Sequence, residues 1–157
     1  MNDPQPIRRR PAHIPPLELH NRPVIILITV CSKDRRRIFA NSLAADAFIQ
    51  AWVADDQWRV GHYLIMPDHV HFFVSPGDVP VPSLTAWMQK WKSRVSRHWH
   101  KPSEQPIWQR GFWDRQIRDG EHYEARAEYV RQNPLRAGLC SNSKIWPWQG
   151  ELNVLRW

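Results

Sequence analysis

The stretch Trp58-Arg-Val-Gly-His-Tyr-Leu-Ile-Met66, Pro67-Asp68, His69-Val-His-Phe-Phe-Val-Ser75 decides the fold. Two runs rich in β-branched and aromatic residues flank a Pro-Asp pair, a tight-turn signal that makes them a hairpin. In the second run Val70, Phe72 and Val74 alternate with His69 and His71. A strand there buries the first set and turns both imidazoles to the opposite face.

Toward the N-terminus, the almost wholly β-branched run Val24 to Val30 reads as a buried strand. Asn41 or Ser42 caps a helix running to about Gln57, with Leu43, Ala47, Phe48, Ala51 and Trp52 on its apolar stripe. Toward the C-terminus, Pro76 to Pro82 is a loop. Ser83 then caps a helix to about His100, striped by Leu84, Trp87, Trp91, Val95 and Trp99. Phe112 to Arg118 is a fourth strand, and Asp119 caps a helix that ends by about Asn133, ahead of Pro134. The remainder reads as irregular. The order βαββαβα with a central hairpin predicts an α+β, ferredoxin-like fold, an antiparallel sheet with helices packed on it. Residues 1–22 form a basic Pro/Arg-rich segment, 23–147 the domain and 148–157 a C-terminal tail.

The chain has 157 residues, 42% of them hydrophobic, which suits one domain with a real core. Its 22 Lys plus Arg against 15 Asp plus Glu give +7, and ten Trp accompany that charge. A basic, aromatic chain favours a polyanionic partner. No apolar run approaches the roughly 20 residues that span a bilayer, and the N-terminus lacks a secretory pattern, so no membrane is expected and the location expected is cytoplasmic. Cys31 and Cys140 have no metal-type spacing and read as free thiols. No G-x-x-x-x-G-K-[ST] loop occurs, so no nucleotide cofactor is expected. Asp34, Asp46, Asp55, Asp56 and Asp114 have no spacing that would converge on a two-metal centre.

Chemistry concentrates in two places. His69 and His71, two apart on a strand, form a ready pair of imidazole ligands for a divalent metal. Tyr129 and Asn133, four apart on a helix, share a face with Arg126 and His122 and could present a phenol and an amide to one object. Asp68 reads as a turn former.

The stretch Tyr63 to Phe72, then Pro106-Ile-Trp-Gln-Arg-Gly-Phe-Trp-Asp-Arg115, then Tyr129-Val-Arg-Gln-Asn-Pro-Leu-Arg-Ala-Gly-Leu139 resembles the IS200-like, single-tyrosine HUH transposase superfamily. Within it, the match is most nearly to the REP-associated tyrosine transposases. The resemblance runs from about Val24 to about Pro147. It implies that His69 and His71 bind Mg²⁺ or Mn²⁺, that Asn133 is a third, polar metal ligand and that Tyr129 is the nucleophile. Tyr63, on the hairpin, and Tyr123, with no polar residue four positions on, are not. The implied substrate is single-stranded DNA bearing a hairpin, such as a REP-like palindrome. The implied product is a 5′-phosphotyrosine that a 3′-hydroxyl can rejoin. The REP-associated branch implies a monomer, other relatives a dimer. A reading from another class is a non-catalytic single-stranded DNA-binding module on the same scaffold.

Candidate DNA contacts are Arg35, Arg36 and Arg37 after the first strand; Lys90, Arg94, Arg97 and Lys101 on the second helix; Arg110, Arg115 and Arg118 around the fourth strand; and Arg126. Trp108, Trp113 and His100 are candidate stacking platforms for unpaired bases.

Overall fold

The computed structural model describes residues 24–78, 80–118 and 120–156. The N-terminal segment expected over 1–22 and the cap expected at Asp119 lie outside them. In chain order the elements are β1 (Ile25–Cys31), α1 (Ser42–Ala54), β2 (Trp58–Ile65), β3 (His69–Pro76), α2 (Leu84–Arg97), β4 (Trp113–Ile117), α3 (Gly120–Arg131), α4 (Asn133–Arg136) and β5 (Gln149–Glu151). The strands form one antiparallel sheet in the order β4-β1-β3-β2-β5. This is the expected α+β architecture with one strand added.

The hairpin behaves as its alternation dictates. Val70, Phe72 and Val74 join Ile26, Ile28 and Val30 on one face, under α1 and α2. Helix α1 starts at Asn41, whose side chain accepts from the Ala44 amide at 2.9 Å, and α2 at Ser83, which accepts from Ala86 at 3.1 Å. Both caps satisfy otherwise orphaned amide groups. The core between these helices and the sheet is aromatic. The Phe48 ring lies 5.1 to 6.4 Å from Phe39, Trp52, Trp91, Trp99 and Trp108. Indole N–H groups also tie elements together: Trp58 donates to the Pro82 carbonyl, Trp87 to Asp55, Trp108 to Lys92 and Trp146 to Ile65.

The other face is thinner. Ile25, Leu64, Phe73 and Ile117 pack beneath Tyr123, Ala127 and Val130 of α3, with Leu155 from the C-terminal segment. The chain's α-helical layers therefore sit on both sides of the sheet, α1 and α2 on one and α3 on the other.

Four local expectations are corrected. Leu43 is 57% exposed, and Ala44 and Ala45 take the buried positions in the first turn of α1. Helix α3 ends at Arg131, ahead of Pro134 as expected, but the chain beyond it, expected to be irregular, turns helical again in α4 with Pro134 in the first turn, where its missing N–H costs nothing. Gln149–Glu151, expected to be irregular, pairs with β2 as an edge strand. Finally, β2 is bulged between Val60 and Tyr63, so Val60, Tyr63 and Ile65 face α1 and α2 while Leu64 turns to α3. Gly61 lies in that bulge because a Cβ there would meet Leu155 at 2.7 Å and the Tyr123 hydroxyl at 3.0 Å.

The packing sets a test. Phe48→Ala removes a ring contacted on all sides and should lower the unfolding free energy by about 3 to 5 kcal/mol in urea titration. Leu43→Ala, on the exposed side of the same helix, should stay within about 0.5 kcal/mol of the unaltered chain.

Candidate active site

His69 and His71 project from the central strand on the α3 side, opposite Cys31 and Thr29 of β1. Their ring centroids are 4.8 Å apart and the planes nearly perpendicular, at 83°. Each Nδ1 is already engaged: that of His69 with Asp68 Oδ1 at 2.7 Å, that of His71 with Thr29 Oγ1 at 2.8 Å. An imidazole held through Nδ1 is fixed in orientation and keeps Nε2 for a ligand. The Asp68 carboxylate can only accept from His69, which places that proton on Nδ1.

Asp68 does more than form the turn. Its Oδ2 accepts from Arg35 Nε at 2.9 Å. Burial would raise this carboxyl, but the hydrogen bonds and charges of His69 and Arg35 outweigh it and bring it down to about 2. Arg35 and its neighbour Asp34 hold left-handed backbone, with φ of 54° and 57°. Such strain in non-glycine residues tends to collect at working sites.

His71 is held neutral. Burial is the main cause of its depression to about 3, with the charges of His69, Arg136 and Arg35 acting in the same direction and Asp68 against them.

Of the three tyrosines, Tyr129 is the accessible one, 57% exposed on α3. Tyr123 is buried, and that burial pushes its phenol up to about 12. Tyr63 is half-buried and also raised by burial. Arg136 lies 4.0 Å over the Tyr129 ring, and its Nη2 donates to the Tyr129 carbonyl at 2.8 Å and to Asn133 Oδ1 at 2.9 Å. Tyr129 and Asn133 thus meet at Arg136, and α3, which carries Tyr129, lies on the same side of the sheet as His69 and His71. Arg126 approaches the same tyrosine ring at 5.9 Å.

Imidazole nitrogens are borderline donors that serve many divalent metals. The two imidazoles offer Nε2, and among the described residues no cluster of three His, Cys, Asp or Glu side chains competes for a metal elsewhere. Asn133 carries a neutral amide oxygen, a donor type found beside such imidazoles, and that oxygen accepts from Arg136 Nη2 at 2.9 Å.

The other expected contacts divide by layer. Lys90, Arg94, Arg97 and Lys101 belong to α2 or its end, across the sheet from the histidines. Lys90 is 3.4 Å from Asp55 and Lys101 3.8 Å from Glu104. Arg36 is a strut, its Nη2 donating to the carbonyls of Glu104 and Pro106 at 2.8 and 2.6 Å. Arg37, Arg110, Arg115 and Arg118 are exposed. Within β4, Trp113 pairs with Thr29 and Arg115 with Leu27, which puts both on the histidine face. Trp108 turns inward against Phe39, Phe48 and Trp91, so it is a core residue and not a stacking platform. His100 rests beside Trp99. A cleft of about 240 Å³ opens between α3, β2 and β5, lined by His62, Leu64, Phe73, Val130, Arg131 and Glu151.

Sequence reading missed Thr29, the role of Asp68, and Arg136. Thr29 had a signal, being the one hydroxyl in the apolar run Val24 to Val30. Arg136 had none beyond its place after Asn133, since the stacking depends on the chain turning helically again past Pro134.

Comparison with known proteins bears on this arrangement. Residues 23–133 match the family model described as "Transposase IS200 like". The chain is similar to the REP-associated tyrosine transposase of Escherichia coli (strain K12), 24% identical over 95 residues, covering 59% of this chain and 54% of the relative. It is 28% identical over 94 residues to a Haemophilus influenzae protein given the same name provisionally, covering 54% of this chain and 53% of that one. The chain thus spans about half the length of the curated relatives it matches. Among solved structures, a REP-associated tyrosine transposase bound to a REP hairpin superposes with a TM-score of 0.67 at 19% identity, over 80% of this chain and 74% of that one. A provisionally named transposase from Deinococcus radiodurans R1 gives 0.50 at 16% identity, over 73% and 93%. These two establish the likeness of fold. The family match covers most of the chain and includes the histidine pair, the tyrosine and the asparagine, and the protein belongs to the IS200-like transposase family.

Proposed function

We propose that the chain is a metal-dependent tyrosine strand transferase that cuts and rejoins single-stranded DNA at a hairpin of the REP type. The observation that carries this is a pair of Nδ1-anchored imidazoles on the same side of the sheet as α3, the helix that carries the exposed Tyr129 phenol. The hairpin substrate is supported by the solved relative bound to a REP hairpin.

In this reading Tyr129 Oη attacks phosphorus in line, the bond to the 3′ oxygen breaks, and the protein carries a 5′-phosphotyrosine. The phenolic proton is lost and the released 3′ oxygen gains one. The ester survives as a covalent link, so a second 3′-hydroxyl can reverse the step on another strand without an attacking water. His69, His71 and Asn133 would hold Mg²⁺ or Mn²⁺, which supplies Lewis-acid charge to a non-bridging phosphate oxygen. Asp68 and Thr29 keep the two rings oriented, and His71 stays neutral and able to ligate far below neutral pH. Arg115 and Trp113, on the histidine face, and Arg126, beside Tyr129, are the phosphate and base contacts this reading favours over the α2 cations.

Three outcomes are expected. Incubation with hairpin-bearing single strands and Mg²⁺ or Mn²⁺ should give a denaturant-resistant protein–DNA adduct, absent in Tyr129→Phe; an adduct that persists in that variant sinks the assignment. Asp68→Ala should weaken Mn²⁺ binding, read by titration, about 10- to 100-fold while leaving the fold intact. The third concerns pH without metal. His71 has its folded pKa at about 3, below the unfolded value near 6.5, so the unfolded chain binds the extra proton between them. Stability should therefore be full above pH 6.5 and fall as pH drops toward 3, with a limiting slope of about 1.4 kcal/mol per pH unit. His71→Asn should flatten that part of the profile in urea titrations with EDTA.

A further inference from the structure

Arg136 is exposed at the end of α4, yet one of its nitrogens is fully committed. Both N–H bonds of Nη2 are used, one on the Tyr129 carbonyl and one on Asn133 Oδ1, while the guanidinium lies over the Tyr129 ring. Three groups of the proposed site therefore meet at one side chain. A lysine has no planar fork with which to do this.

The neighbouring cations differ. Arg131 gives Nε and Nη2 to Glu128, 3.0 and 2.9 Å away, and its charge is answered there. Arg35 is paired with Asp68. For Arg136, no carboxylate partner occurs among the described residues, and Nη1 and Nε have no protein acceptor among them. A guanidinium anchored through one nitrogen, with two other donor nitrogens unclaimed and beside a surface phenol, matches the oxygens of a phosphodiester.

We propose that Arg136 is a further residue of the transfer site, with Nη2 fixing Tyr129 and Asn133 as one unit while Nη1 and Nε receive a non-bridging oxygen of the phosphate that Tyr129 attacks. The inference rests on the reading of Tyr129 as nucleophile. Its positioning half requires only that the stacked guanidinium hold the ring. Its binding half requires DNA phosphate within reach of the same group.

The test uses the full chain and a pool of DNA hairpins with randomised single-stranded flanks. With Mg²⁺ or Mn²⁺ and saturating DNA, Arg136→Ala should form adduct about 10²- to 10³-fold more slowly than the unaltered chain. Arg136→Lys should recover less than tenfold of that loss. Added methylguanidinium should restore part of the rate to Arg136→Ala and none to Arg136→Lys, a pattern that misfolding does not produce. A second measurement is independent of cutting. In a Tyr129→Phe background, Arg136→Ala should reduce the slope of log affinity against log salt by about 0.7, the loss of one phosphate contact on a single strand. An unchanged slope with an unchanged adduct rate overturns the proposal. If the unaltered chain forms no adduct with either metal, the strand-transfer reading fails, and the salt slope still decides whether Arg136 holds phosphate.

Discussion

Strand β3 is hydrogen-bonded on both edges, to β1 and to β2, and one of its faces is sealed by the rings of α1 and α2. Those two constraints together hold His69 and His71 where they are. A slip of one residue would drive both imidazoles into the aromatic core and lift Val70, Phe72 and Val74 out of it, at a cost of roughly 1.5 to 3 kcal/mol for each large apolar side chain exposed. The placement of the two imidazoles thus needs no local device to choose the face. It follows from the period of a central strand and from what the indoles bury.

The anchors of the rings come from the same frame. Thr29 is the cross-strand partner of His71, fixed by the register of β1, and Asp68 ends the hairpin turn directly before His69. The Ser32 amide donates to the Asp68 carbonyl at 2.9 Å, and Arg35 reaches the Asp68 side chain from the strained connection after β1. Both ring anchors, Thr29 and Asp68, are therefore positioned by backbone hydrogen bonds of the sheet or its turns. Rigid support of this kind is what a preorganised site demands.

What the sequence showed, and what it concealed, follows from the same physics. The hairpin, both capped helices and the histidine face were legible because each rests on a repeating pattern over many residues. Tyr129 and Asn133, expected on one helix, stand on either side of the break between α3 and α4 and meet through Arg136. The three-residue strand β5 is too short to show a period, and the bulge at Gly61-His62 breaks the alternation of β2 without a signal beyond the glycine itself. Trp108 illustrates a different limit. Basic neighbours suggested a surface platform, but the loop folds its ring onto Phe39 and Phe48, and its N–H donates to Lys92. Composition could indicate neither choice.

Charge was the least local signal and needed the most correction. The +7 total treats the α2 cations and the arginines around β4 alike. The sheet separates them. Lys90 and Lys101 lie near acids on the far layer, whereas Arg115 and Trp113 stand on the histidine face, and Arg126 and Arg136 flank Tyr129. The histidine face also has the smaller apolar cluster, closed by α3 through Ala127, Val130 and Tyr123. The chain's hydrophobic weight is therefore spent on α1 and α2, which hold the sheet rigid from behind. The histidine face has only the smaller cluster that seats α3, and a thinly packed element of this kind is the part of a fold that opens at least cost.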